Sequence, residues 1–449
     1  MTIYVNNLLS ATEANVTGKP TPTRTWQWLR NGTAITGANS STYTVIEADL
    51  AANLSVSQIE TNLGGVDTAT STALGPVSIF GVNSLFANDE EGAWYDPSDL
   101  STLFQDSAGT TPVTTAGQPV GLMLDKSQGL VLGTEEITNN DFATSDLTGW
   151  STATQGDGSV SVVGGQAVFS STKNYSTDRS AIYQTHNLSA GTYVVEGDII
   201  SKDTSFFWIL IGPAYGAGNI SGNNYSPEVG RFSRKITVPT DGNVWFEFRV
   251  SGSLVLDNVS VKKLAGNHAT QATSAARPTY QTSAGLHYLA FDGVDDYMDG
   301  TGGWAVDAEI TMMVGGSTTS NSENAGFIAI NPSSTAGRSQ RALGLQDATS
   351  LKVDNRGINV IISHTMSDVA VLEAAFTTSQ VKGAVNGAGF TTNSNTSGDT
   401  TTDFVVGKGL TGIELPCDIY GIFIINRDLT SAERSNLVSY TATKSGVTL

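Results

Sequence analysis

YLAFDGVDDYMD, residues Tyr288–Asp299, is the stretch that decides the fold. It reads as an apolar strand, an Asp-Gly turn and a second short strand. Leu289 and Phe291 stand two apart, so both face one core. Asp292-Gly293 pairs a side chain that bonds back to the backbone with a residue that tolerates positive φ. A partner lies far downstream in DIYGIFIINR, Asp418–Arg427. Simple alternation puts Ile419, Gly421, Phe423 and Ile425 on one face there, and Tyr420, Ile422 and Ile424 on the other. Apolar residues on both faces predict a central strand covered on two sides.

Together these segments resemble the LamG-like, concanavalin A-like β-sandwich domains. Those open on a strand of the form L-x-F-D-G-x-D-D-Y. They close on a strand followed by R-x-L-T-x-x-E-R, a short helix and K-x-G. Here the closing run is Tyr420–Arg434, with Lys444 and Gly446 at the end. Thr430 and Glu433 are placed to form a capping box at the start of that helix. The resemblance implies a fold and not one function, since lectins, adhesive modules, glycan-cleaving enzymes and virion fibres share it.

The chain has 449 residues, too many for one sandwich. Charged residues make up only 14% and there are 48 glycines, which suits an all-β protein rich in turns. The net charge of −19 repels phosphate backbones and anionic lipid, so no nucleic-acid partner is expected. The apolar runs, Phe206–Ile211 among them, are too short to span a bilayer, so no membrane insertion is expected. The single Cys417 forms no intrachain disulfide and reads as a small core residue. The first residues carry no basic and apolar leader, so the expected exit from the producing cell is release with a particle by lysis.

Residues 1–76 read as a small sandwich: Trp26 and Trp28 share a strand face, and Arg30-Asn31-Gly32 signals a hairpin. Trp28–Ala38 and Tyr43–Asp49 resemble bacterial and phage Ig-like domains. Residues 77–130 read as a linker and the first part of the LamG-like domain. WYDPSDLSTLFQDSAGTTPV, Trp94–Val113, reads as a turn leading into one helical turn. It resembles a segment of tailed-phage virion structural proteins, which there runs on through D-K-S-G-N-G-N-H-A-T-Q-A-T into the LamG-like strand. Here that run is split between Asp125–Gly129 and Gly266–Thr273, with about 130 residues between, the size of one domain. Residues 131–264 are therefore expected to be a domain inserted into a loop of the sandwich, which resumes over 265–449 and ends in a helix. Asn139–Phe142 with Gly149-Trp150, and Asp257-Asn258-Val259 at the close, resemble jelly-roll carbohydrate-binding modules. The expected fold is thus all-β: an Ig-like sandwich plus a jelly roll inserted in a LamG-like β-sandwich.

Glucanases on this fold carry paired acids as E-x-D-x-E on one strand, and no strand here does. Asp295 and Asp296 are adjacent, so alternation points them to opposite sides, and the LamG-like resemblance implies that they belong to a structural turn. His186, His268, His287 and His364 are scattered. No enzyme is expected on these grounds. Sugar binding needs an aromatic platform and planar polar groups. In Val244–Val250, alternation sends Val244, Phe246, Phe248 and Val250 to the core and Trp245, Glu247 and Arg249 to the other face, where Phe207 or Trp208 can join them. That face is either a glycan groove or an exposed strand with an ion pair and a packed Trp. The jelly-roll resemblance also implies a structural calcium on Asp257, although Ala143 stands where that pattern has a Glu ligand.

The combination points to a virion surface protein of a tailed phage or gene transfer agent: a head spike, tail fibre or decoration subunit. Its expected place is the virion exterior, after synthesis in the host cytoplasm. Its expected partners are host surface polysaccharide, other virion proteins and further copies of itself. A secreted bacterial glycan-binding adhesin is the alternative, and a polysaccharide depolymerase a third reading.

Overall fold

A computed structural model describes residues 3–4, 8–14, 20–87, 90–174, 176–213, 226–238, 240–301, 309–330, 341–355, 357–394, 403–409 and 412–449. The chain is all-β, an Ig-like sandwich and a LamG-like sandwich that carries an inserted jelly roll. Among the described residues no helix is long and apolar enough to cross a membrane. Two compact units divide it: Met1–Ala87 with Leu429–Tyr440, and Asn88–Asp428 with Thr441–Leu449.

In the first unit, Thr33–Ala34, Thr23–Arg30, Leu54–Asn62 and Gly65–Thr70 form a four-stranded sheet in that order. Asn31 and Gly32 take positive φ and close the hairpin between Arg30 and Thr33. Trp28 is buried, stacks on Tyr43 at 5.5 Å, and donates its indole N–H to the Ser40 carbonyl. The buried Asp49 accepts from Tyr43 and Arg30, which explains the spacing of Tyr43 and Asp49 in the sequence. Trp26 packs against the same core and lines an apolar hollow with Leu9, Val56 and Leu74. Val77–Ser78 pairs in parallel with Ile3–Tyr4, so this module runs past the expected boundary at residue 76. At the helix Ser431–Ser445, Thr430 and Glu433 form the expected capping box.

In the second unit two sheets face each other. One runs Thr279–Ser283, Leu286–Asp292, Pro416–Ile425, Ile310–Thr318, Ala370–Phe376, Gln380–Val385, Thr391–Ser394. The other includes Leu103–Phe104, Leu122–Met123, Ala269–Thr270, Met298–Thr301, Asp403–Val406 and Gly326–Ile330, in that order, then the hairpins through Ser363. Pro416–Ile425 is the central strand, bonded to Leu286–Asp292, Ile310–Thr318 and Gly92–Tyr95. Its phase differs from simple alternation. Gly315 pairs with Gly421 but Gly316 pairs with Ile419, so Tyr420 is an extra residue in a β-bulge. Cys417, Ile419, Ile422 and Ile424 therefore all enter the core, and Tyr420 joins Asp418 on the outer face. Trp94-Tyr95, expected in a turn, instead form a strand whose Tyr95 is fully buried. Thr441 and Ser445 of the C-terminal helix lie over Gly315, where a Cβ would come within 3.1 Å of Ser445.

Among the described residues, strands between Leu132 and Leu264 pair only with one another. Gly191–Gly212 and Gly242–Leu264 run antiparallel along nearly their whole length, with three register shifts that bend them around the core. Leu132 pairs with Leu264, so the first and last strands of the insert are neighbours. Just outside that pair the split sequence run is joined. The fully buried Asp125 carboxylate accepts from the backbone N–H of Trp94 (2.7 Å), Asn267 (2.7 Å) and Ser127 (2.8 Å), and from the Ser127 hydroxyl. In return the Asp125 N–H donates to His268 Nδ1 at 2.9 Å, and the Tyr95 hydroxyl donates to the Asn267 carbonyl. Phe104, Leu122 and Leu124 of the carrier pack on Val194 and Leu264 of the insert.

Because Nδ1 accepts, His268 is neutral, and burial holds its pKa down to about 4 from 6.5. The unfolded chain binds that proton more readily, so this contribution to stability is complete above about pH 6.5 and is lost as pH falls toward 4. Its full size is on the order of 3 kcal/mol. His268→Asn keeps an acceptor without a titrating group. We expect urea titrations to show the variant losing less stability than the parent between pH 7 and pH 4.5.

Candidate functional site

The jelly-roll face singled out in the sequence exists, but it is less open than expected. Val244, Phe246, Phe248 and Val250 are in the core, and Trp245, Glu247 and Arg249 take the opposite face. Trp245 is only 2% exposed and Glu247 0%, so neither is part of an open platform. The Arg249 guanidinium holds Glu247 with two hydrogen bonds, at 2.6 and 2.9 Å. Such a fork offsets the cost of burying a carboxylate. Register places Trp208 beside Arg249 and Leu210 beside Glu247 on one flank, with Ala181 and Tyr183 on the other. Trp208 is half-buried and rests on Phe206, ring centres 3.9 Å apart. The accessible part of the site is thus Trp208, Phe206 and the rim of Arg249. Phe206 and Tyr183 could not be assigned from sequence, because only strand register brings them in.

Asp257 stands in the last strand of the insert, as placed by the motif. One of its oxygens accepts from the Asn258 N–H at 2.7 Å and the other from Gln166 at 3.3 Å. These bonds lie at a bulge in the strand Gly242–Leu264, where Asn258 has positive φ. Among the described residues, acids instead gather elsewhere: the carboxylates of Asp292, Asp295 and Asp296 lie within 4.8 Å of one another. Asp295 and Asp296 lie in the turn that the resemblance implies, where strand alternation does not hold, so they do not point apart. Three carboxylates supply part of the six to eight oxygens that calcium takes. Asp296 is buried and accepts from the Asp292 N–H at 3.0 Å. Burial, then the charges of Asp292 and Asp295, push its pKa up to about 6.

The four histidines do not converge on an acid. His186 bonds Gln184, His287 bonds Tyr280, and His268 belongs to the junction. No family model and no curated protein matches the sequence. Among solved structures, Trypanosoma rangeli sialidase in complex with the inhibitor DANA aligns over 86% of this chain and 78% of its own, at 11% identity and TM-score 0.31. The same sialidase in complex with sialic acid aligns over 89% and 79%, at 10% identity and TM-score 0.29. At those scores the likeness carries no argument for a sialidase site. These aligned structures are sialidases, so the expectation that the chain is no enzyme is withdrawn, and no activity is put in its place.

A raised carboxyl pKa makes the folded state bind a proton that the unfolded state does not. The Asp296 contribution is therefore complete below about pH 3.8 and is lost as pH rises through about 6. With a chelator present, Asp296→Asn is expected to stabilise the protein at pH 7, on the order of 2 kcal/mol, and to gain little at pH 4. Denaturation midpoints at the two pH values check this.

Proposed function

We propose that the chain is a virion surface protein of a tailed phage or phage-like particle, a spike, fibre or decoration subunit that binds host cell-surface glycans. The observation that carries the reading is the junction around Asp125. Segments that resemble one continuous run in phage virion proteins, Trp94–Ser127 and Gly266–Thr273, are knitted into one piece of structure around that carboxylate. A jelly roll occupies the break, and its face carries Trp208 with the guanidinium of Arg249 alongside. A partly exposed indole stacks on the apolar side of a sugar ring, and a guanidinium edge meets its hydroxyls. In this reading the Ig-like module anchors or spaces, other virion proteins and copies of the chain are its neighbours, and the virion exterior is its place.

Electron micrographs of particles made without this protein should lack one appendage or surface feature; intact particles would overturn the virion role. For binding, Trp208→Ala should weaken adsorption to purified host polysaccharide by about 1–2 kcal/mol, the range for lost aromatic contact and area. Arg249→Lys should weaken it too, because an ammonium cannot reproduce the fork that holds Glu247. Calorimetry on folded variants is the measurement.

A further inference from the structure

The outer face of the carrier sandwich holds a second set of groups suited to a sugar. Tyr288 and Tyr420 come from adjacent strands, their ring centres 5.1 Å apart at 36°. Tyr420 follows the core residue Ile419 and faces outward with Asp418, while the bulge at Tyr420–Gly421 returns Ile422 to the core. It is 7% exposed and props the more open ring of Tyr288. Asp418 stands on the same face, opposite Ala290, the residue two beyond Tyr288. It is half-buried, and among the described residues no group donates a hydrogen bond to its carboxylate and no cation pairs with it. Burial raises its pKa. Gln281, the register partner of Tyr288, adds an amide at the edge.

We infer that Tyr288, Tyr420, Asp418 and Gln281 form a second carbohydrate site, on the carrier sandwich rather than the jelly roll, for an uncharged sugar ring. A half-buried carboxylate left without donors has lost water and gained nothing in return. Adjacent ring hydroxyls supply the two donors it lacks, while the C–H face of the pyranose lies on Tyr288. A uronate or sialate would bring its own carboxylate against Asp418 with no cation between them, on a chain of net charge −19. The choice of a neutral ligand follows from that unpaired charge. This site does not depend on the jelly-roll face, and the two fail separately.

The test uses the full chain and a panel of neutral gluco-, manno- and galacto-configured hexasaccharides, with a galacturonate hexasaccharide as the anionic control. At least one neutral member should bind. Tyr288→Ala and Asp418→Asn, each verified as folded by thermal melting, should weaken that binding roughly tenfold or more, the loss expected for one charge-assisted hydrogen bond or one stacking contact. Trp208→Ala should leave it in place. The inference is overturned if both carrier variants bind as the parent does, if only the galacturonate binds, or if no neutral member binds. Binding lost in Trp208→Ala but kept in Tyr288→Ala would overturn this site and leave the jelly-roll reading standing.

Discussion

A single buried carboxylate, Asp125, organises the larger unit. Among the described residues no cation pairs with it. Its charge is held instead by three backbone N–H groups and a hydroxyl, which come from Trp94, Ser127 and Asn267. A bare carboxylate in such a place would be costly, and four donors make it tolerable. Those donors lie on both sides of the inserted module. Satisfying one charge therefore fixes where the chain leaves the carrier and where it returns. Gly266 is part of the same constraint: its φ is +123° and a Cβ would press on Asp125 at 3.1 Å.

The insertion is tolerated for a second, simpler reason. The jelly roll pairs its first strand with its last, Leu132 against Leu264, so its ends are already neighbours. The carrier needs only a small opening to accept it. The apolar cluster of Phe104, Leu122 and Leu124 with Val194 and Leu264 then covers the joint, and the Lys235 ammonium lies 4.1 Å over the Phe104 ring.

Charge placement separates the structural from the accessible groups. Glu247 and Arg249 looked in sequence like part of a groove, yet Glu247 is fully buried and its fork with Arg249 is internal. Asp96 shows the same logic in the carrier, where Lys126 and Lys444 help hold its carboxyl below the ordinary range despite burial. Among the described residues no cation pairs with Asp418 or Asp296, and burial raises the pKa of each. Groups of the second kind gain most from a ligand, since the protein has not supplied their partners.

What the sequence determined by itself was set by local period and local chemistry. Leu289 and Phe291 two apart gave a strand, the apolar run of Ile419–Ile425 gave its doubly covered partner, and Thr430 with Glu433 gave a helix start. A run cut between Gly129 and Gly266 gave the insertion. What the tertiary structure alone decided depended on register and on what covers each face. The bulge at Tyr420 put Ile419 on the same face as Ile422 and Ile424. Trp245 was buried, and Phe206 came beside Trp208. Alternation is a property of a few adjacent residues, so it can be read along the chain. Register and burial belong to strands that may be a hundred residues apart, and no local pattern encodes them.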